Sequence, residues 1–206
     1  PAQWVYDMVS AGNTSFYKVQ DGLNTYYDIP SKSYKQIPGA EDFIILENLS
    51  ENVVWKNAES KITDIGDGVI NFSWSSKSYT LGSAVIEGMN YAIGLAEKDY
   101  RGLVIGHQGS DFSLGANLGL VFMYAIEQDY DELDFMVRAF QNSVMRIRYS
   151  SVPVVVAPHG RTLGGGCEMT MHADLAQAAA ETYIGLVEVG VGLIPGGGGT
   201  KEFTKR

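Results

Sequence analysis

The sequence predicts an α/β fold with parallel crossovers. Short β-branched apolar runs alternate with longer stretches of helical periodicity, the order that builds a parallel sheet covered by helices. A glycine-rich loop follows each of two candidate buried strands. The 206 residues, 45% hydrophobic and 19% charged, are enough for one sizeable core.

Residues 1–42 differ from the rest. They are polar and tyrosine-rich (Tyr6, Tyr17, Tyr26, Tyr27, Tyr34) and carry turn signals at Gly12-Asn13, Asp21-Gly22 and Pro38-Gly39. A short helix near 3–10 and a hairpin about Asp21-Gly22 are expected. No chemistry is visible there, and the segment reads as a linker or the tail of a preceding domain. Residues 43–206 read as the main domain. Phe43-Ile44-Ile45-Leu46 predicts a strand. Ser60–Ile65 and Val69–Trp74, split by Asp67-Gly68, predict a β-hairpin.

Val85, Met89, Ala92, Ile93 and Ala96 repeat at helical spacing and predict a helix over 81–98. Leu103-Val104-Ile105 is a short buried strand, and the loop 109-GSDFSLGANLG-119 follows it. Two helices come next. The second, over 131–148, has one apolar stripe (Leu133, Val137, Phe140, Val144, Ile147) and a charged outer face. The run 153-PVVVAP-158 is another buried strand, leading into 159-HGRTLGGGCE-168. A helix over 165–173, short strands near 175–179 and 182–184, and 188-EVGVGLIPGGGGT-200 opening a last helix complete the chain.

Composition excludes several classes. The formal charge is −9, so nucleic acid is not a bulk partner, because phosphate binding needs a basic face. No apolar run reaches the ~20 residues of a membrane helix. The start lacks a basic region followed by an apolar one, so no signal peptide is expected. The single cysteine, Cys167, leaves no internal disulfide and fits a reducing, cytoplasmic setting. Both ends are expected to be cuts within a longer polypeptide.

The loops point to chemistry. Gly115-Ala116-Asn117 and Gly164-Gly165-Gly166 each stand directly before a helix start. N–H groups in a first helical turn lack intrahelical acceptors, and the helix dipole adds positive potential there. Two such groups aimed at one point make an oxyanion hole. Either loop alone is more simply a tight strand-to-helix turn that needs glycine for geometry; the two together, each after a buried strand, favour the functional reading. Two carboxylates accompany them. Glu168 lies in the first turn after the triple glycine, and Glu188 sits in the apolar context Leu186-Val187-Glu188-Val189. Burial would raise their pKa and suit acid–base work near neutrality. The plain alternatives are a dipole-pairing charge for Glu168 and a surface residue on an edge strand for Glu188. Cys167 with His159 or His172 suggests a cysteine hydrolase, but a cysteine in this turn is more simply a small buried residue. His107, His159 and His172 show no ligand pair at helical spacing, so no metal is expected.

Taken in order, S-x-G-A-N-L, P-V-V-V-A-P-H-G-R-T-L-G-G-G-C-E and Y-I-G-L-V-E-V-G-V-G-L-I-P-G-G-G-G-T resemble the crotonase superfamily, in its enoyl-CoA hydratase branch. The resemblance runs from about residue 43 to 206. It implies a crotonase-like ββα superhelix core lacking the C-terminal helices, with a short N-terminal extension. It implies a thioester carbonyl held by the N–H groups of Ala116 and Gly165. Glu168 would activate the water and Glu188 would deliver the C2 proton in hydration of a trans-2-enoyl-CoA to a 3-hydroxyacyl-CoA. Isomerisation of an enoyl-CoA, or a non-catalytic acyl-CoA-binding module, are the alternatives.

Gly115, Gly164 and Gly196 would line the substrate. So would Lys77, a candidate CoA phosphate ligand, where Tyr79 stands near a position often held by asparagine. No cofactor is implied in this chain, since CoA arrives with the substrate. The stretch 4-WVYDMVSAGNTSFYKVQDG-22 resembles the junction of bacterial proteins that place a 3-hydroxyacyl-CoA dehydrogenase ahead of the crotonase domain. NAD would belong to that parent, since no G-x-G-x-x-G follows a strand here. A trimer-type homo-oligomer is implied for the intact protein.

Overall fold

The computed structural model describes residues 1–20, 22–40 and 43–205. The chain divides into two compact units, residues 1–51 and 52–206. Residues 43–51, expected with the main domain, group with the first unit.

The first unit opens with α1 (Gln3–Ser10), as expected. A three-stranded antiparallel sheet follows, made of β1 (Tyr17–Gln20), β2 (Leu23–Asp28) and β3 (Ser33–Gln36). The predicted hairpin forms its first two strands; Asp21 itself lies outside the described residues. The third strand was not anticipated, because Ser33–Gln36 has no apolar alternation. The strand expected at 43–46 does not form. Residues 43–45 are irregular, and Leu46 opens a 3-10 segment ending at Asn52. Phe43 and Ile44 are exposed, so the start of the apolar run is not drawn into the core.

The second unit is built on a six-stranded sheet in which β4 (Val53–Lys56), β5 (Ser60–Gly66) and β6 (Val69–Trp74) are antiparallel. From β6 onward the sheet is parallel, through β7 (Gly102–Ile105) and β8 (Val154–Val156) to the two-residue β10 (Leu175–Ala176). Asp67 and Gly68 both take positive φ in the turn between β5 and β6, the conformation a two-residue hairpin turn needs. β4 was missed by the sequence reading.

Crossover α2 (Ser83–Asp99) joins β6 to β7 and buries the predicted stripe, Val85, Met89, Ala92, Ile93 and Ala96. The connection from β7 to β8 carries α3 (Leu118–Glu127) and α4 (Tyr130–Arg148). Only the C-terminal end of the α4 stripe is fully buried, at Val144 and Ile147; Val137 is exposed. The core lies between the sheet and α2, with Ile62, Ile70, Phe72, Leu103, Ile105 and Val156 fully or almost fully buried.

Past β8 the chain forms β9 (Arg161–Leu163), α5 (Gly165–His172), β11 (Tyr183–Gly185) and α6 (Gly199–Lys205). β9 and β11 make a separate parallel pair, with Arg161 opposite Tyr183 and Leu163 opposite Gly185. This small sheet delivers both the triple glycine and the Glu188 segment to one place. Neither β9 nor its pairing with β11 was read from the sequence.

Candidate active site

The two glycine loops lie against each other. Ser113 bridges to Thr162 in parallel, and Leu163 N–H donates to Ser113 O at 2.8 Å. A side chain at Gly115 would meet Leu163 O at 3.1 Å and Gly165 N at 3.3 Å. The loop is fixed from the α2 side too, because Leu81 N–H donates to Gly115 O at 2.9 Å. Asn117 caps α3 by accepting from Gly119 and Leu120 N–H. Among the described residues, neither the Ala116 nor the Gly165 N–H finds a protein acceptor.

Gly164 explains one of the three glycines. It precedes α5 with φ 53 and ψ −119, a region that residues with a side chain rarely occupy. A Cβ there would stand 3.1 Å from Glu188 Oε1. Its N–H donates to Gly185 O at 3.0 Å, which ties the triple glycine to the segment that carries Glu188.

The two carboxylates reach this junction from different elements. Glu168, in the first turn of α5, is 2% exposed. Its Oε1 accepts from Gly197 N–H and Gly199 N–H, both at 2.8 Å. Burial raises its pKa above the ordinary carboxylate value; the Glu188 charge also pushes it up, while the Gly199 and Gly197 N–H groups pull it down. Gly197 has to be small, since a Cβ would stand 2.5 Å from Glu168 Oε2. Glu188 opens a 3-10 turn, Glu188–Val191, and is not on an edge strand. It is half-buried, and its Oε2 is buried without a hydrogen-bond partner among the described residues.

The remaining expected residues are more scattered. Gly196 lies beside α4, its carbonyl accepting from Gln141 Nε2 at 2.7 Å. Lys77 is exposed, between Ser76 and Ser78. Those two serines help line a cleft of about 370 Å³, together with Ser75, Tyr79, Ser110, Asp111, Leu114 and Arg161. Leu114 adjoins Gly115, so the cleft opens beside the loop junction. Asp111 and Arg161 form a two-bond ion pair across it, at 2.9 and 2.8 Å. The sequence reading missed both: they lie 50 residues apart, and the pairing of residues 112–113 with residues 161–163 brings them together.

Cys167 is buried, and burial pushes its thiol up to about 12, the opposite of a nucleophile's environment. His172 bonds the Glu168 carbonyl through Nδ1 at 2.7 Å. Among the described residues no group of three His, Cys, Asp or Glu side chains is arranged to hold a metal. No helix there is long and apolar enough to cross a membrane.

The sequence profile of the enoyl-CoA hydratase/isomerase family matches residues 67–206. A "Probable 3-hydroxyacyl-CoA dehydrogenase" of Bacillus subtilis is 43% identical over 97% of this chain and 25% of its own length. A "Putative fatty acid oxidation complex trifunctional enzyme" of Rickettsia felis is 34% identical over 75% of this chain and 21% of its own. The chain thus spans a quarter or less of these relatives. Among solved structures, an enoyl-CoA hydratase from Polaromonas sp. JS666 superposes with a TM-score of 0.66 at 25% identity, covering 71% of this chain and 58% of that one. One from Thermoplasma volcanium GSS1 gives 0.64 at 25% identity, covering 72% and 59%.

Proposed function

The chain belongs to the enoyl-CoA hydratase/isomerase family, and from that premise we propose that it adds water to a trans-2-enoyl-CoA to give a 3-hydroxyacyl-CoA. The observation that carries this reading is the meeting of two carboxylates at the junction of the two glycine loops. Glu188 packs on Gly164, and Glu168 lies one turn into the helix that Gly164 begins.

The thioester oxygen is held by the N–H groups of Ala116 and Gly165. As water adds to C3, charge collects on that oxygen, and each donor is worth ~3–4 kcal/mol of barrier. Glu168 takes the water's proton. Burial makes it a stronger base than an ordinary carboxylate, while the N–H groups of Gly197 and Gly199 oppose that rise by favouring the ionised form that a base needs. Glu188, whose Oε2 has no hydrogen-bond partner among the described residues, delivers the proton that goes to C2. The cleft between Tyr79 and Arg161 takes the rest of the thioester, with Lys77 at its rim. Retention of both acids favours hydration over isomerisation.

The dehydrogenase and oxidation-complex names of the relatives support a parent protein that also oxidises the 3-hydroxyacyl product with NAD. In that parent, residues 1–42 would be the tail of the preceding domain.

The test is the loss of enoyl-thioester absorbance when crotonyl-CoA is added to this chain, with Glu188→Gln as control. Turnover that vanishes in the control supports hydration by two glutamates. Turnover that persists unchanged in the control would overturn it.

A further inference from the structure

A second buried acid stands behind the first. Glu202, in the first turn of α6, is 0% exposed. Its carboxylate is ion-paired with Arg148 at the end of α4 and with Lys201 Nζ at 3.0 Å, and it faces His172 Nε2 at 3.7 Å. A carboxylate is taken fully out of water only where partners compensate it. The cluster ties α4, α5 and α6 together at one point.

The turn that Glu202 anchors is the one that holds Glu168. Glu202 N–H donates to Gly198 O at 3.1 Å. The residues on either side, Gly197 and Gly199, supply the two N–H groups bound by Glu168 Oε1. His172 closes the circuit, because its Nδ1 donates to the Glu168 carbonyl one turn back on α5. α5 and α6 are therefore linked through Glu168, and His172 Nε2 stands 3.7 Å from Glu202 Oε1 beside that link. Four glycines in a row, residues 196–199, have no side chains to set their own conformation, so the direction of the two N–H groups depends on what fixes α6.

We propose that Glu202 is a positioning residue: it locks the 197–199 turn so that its N–H groups hold the Glu168 carboxylate in working geometry. This rests on the assignment of Glu168 above, and it extends the site to a residue that does not touch substrate.

The experiment pairs amide exchange with kinetics in Glu202→Gln, a change that keeps the volume and removes the charge. Exchange at Gly197 and Gly199 should quicken ~10-fold or more, while the sheet amides of Leu103 and Val154 keep their protection. With crotonyl-CoA, kcat should fall ~10-fold to 100-fold with KM within about twofold, as expected for misplacement of a reacting group. Unchanged exchange at both glycines, or exchange that quickens equally across the sheet, overturns the proposal. So does a KM that rises in step with the loss of kcat. Should Glu202→Gln not fold, Arg148→Lys carries the same test, with selective quickening at the two glycines as support and none as refutation. The exchange arm needs no substrate. A wild-type chain that fails to hydrate crotonyl-CoA would sink the hydratase reading while leaving the positioning result readable.

Discussion

Glu168 and Glu188 meet at one junction, but the regions that present them are built in opposite ways. Glu168 is carried by a helix whose residues from Gly166 to His172 are all buried, and two N–H groups fix its Oε1. Glu188 is carried by a half-exposed 3-10 turn with Val187, Val189 and Ile194 in solvent, and its inner oxygen has no hydrogen-bond partner among the described residues. In the proposed mechanism the difference separates two tasks. A base must keep its place and its charge while water is polarised. An acid that hands over a proton needs an oxygen uncommitted to the protein. The protein spends stability on the first and leaves the second open.

The largest expected effect sharpens that contrast. Glu168→Gln should cut hydration by ~10²–10⁴-fold and also stabilise the fold near neutral pH. Burial raises the folded pKa of Glu168, so its ionised form is disfavoured in the native state. That cost is absent below the unfolded value near ~4.3 and grows as pH rises through the folded pKa. The Gln variant should therefore melt higher than wild type at pH 7 and nearly equally at pH 4. A variant less stable at pH 7 than at pH 4, relative to wild type, would contradict the assigned cause.

Gly164→Ala attacks the junction from the other side. Its backbone region costs ~1–3 kcal/mol for a residue with a side chain, and the new Cβ would press on Glu188 Oε1. Thermal unfolding should show the destabilisation, and kcat should fall while Glu168 keeps its protected Gly197 and Gly199 amides. Loss of those protections would mean that the two regions are one unit.

Asp111→Asn should have a smaller effect, ~1 kcal/mol or less, because Arg161 is more than half exposed. The Arg161 guanidinium and N–H hold Asp111 well below the usual carboxylate range. Its stabilisation is therefore full above the unfolded value near ~3.9 and is lost as pH falls through the folded pKa. The variant's deficit in melting temperature should vanish in strong acid; a deficit independent of pH would point to packing instead. Smallest of all, Cys167 should resist iodoacetamide at pH 8 in the native chain, since its thiol stands at about 12. Rapid labelling with loss of turnover would bring the cysteine back as a candidate nucleophile.

Much of this was legible in the sequence where local pattern coincides with the tertiary role. The α2 stripe, the Asp67-Gly68 hairpin and the strands β7 and β8 are periodic or punctuated signals, and each forms within two or three residues of its expected place. The site glycines were legible because a backbone that must turn or pass close to a neighbour leaves few choices of residue. What failed depends on partners far along the chain. Phe43–Leu46 looks like a strand but is irregular up to a 3-10 segment, while Arg161–Leu163 looks like loop and pairs with residues 183–185. The partly exposed N-terminal half of the α4 stripe shows the same limit, since periodicity marks an apolar face without saying what covers it. Glu202 was invisible for the related reason that a glutamate in a first helical turn usually faces water.

The most direct test of the central claim sets affinity beside rate in the two glutamate variants. Glu168→Gln and Glu188→Gln would each be measured for acyl-CoA binding by titration and for crotonyl-CoA hydration at saturating substrate. The account predicts that each loses hydration by ~100-fold or more and binds acyl-CoA as wild type does. Affinity and rate falling together would mean that these carboxylates hold the fold or the ligand and do not perform the chemistry.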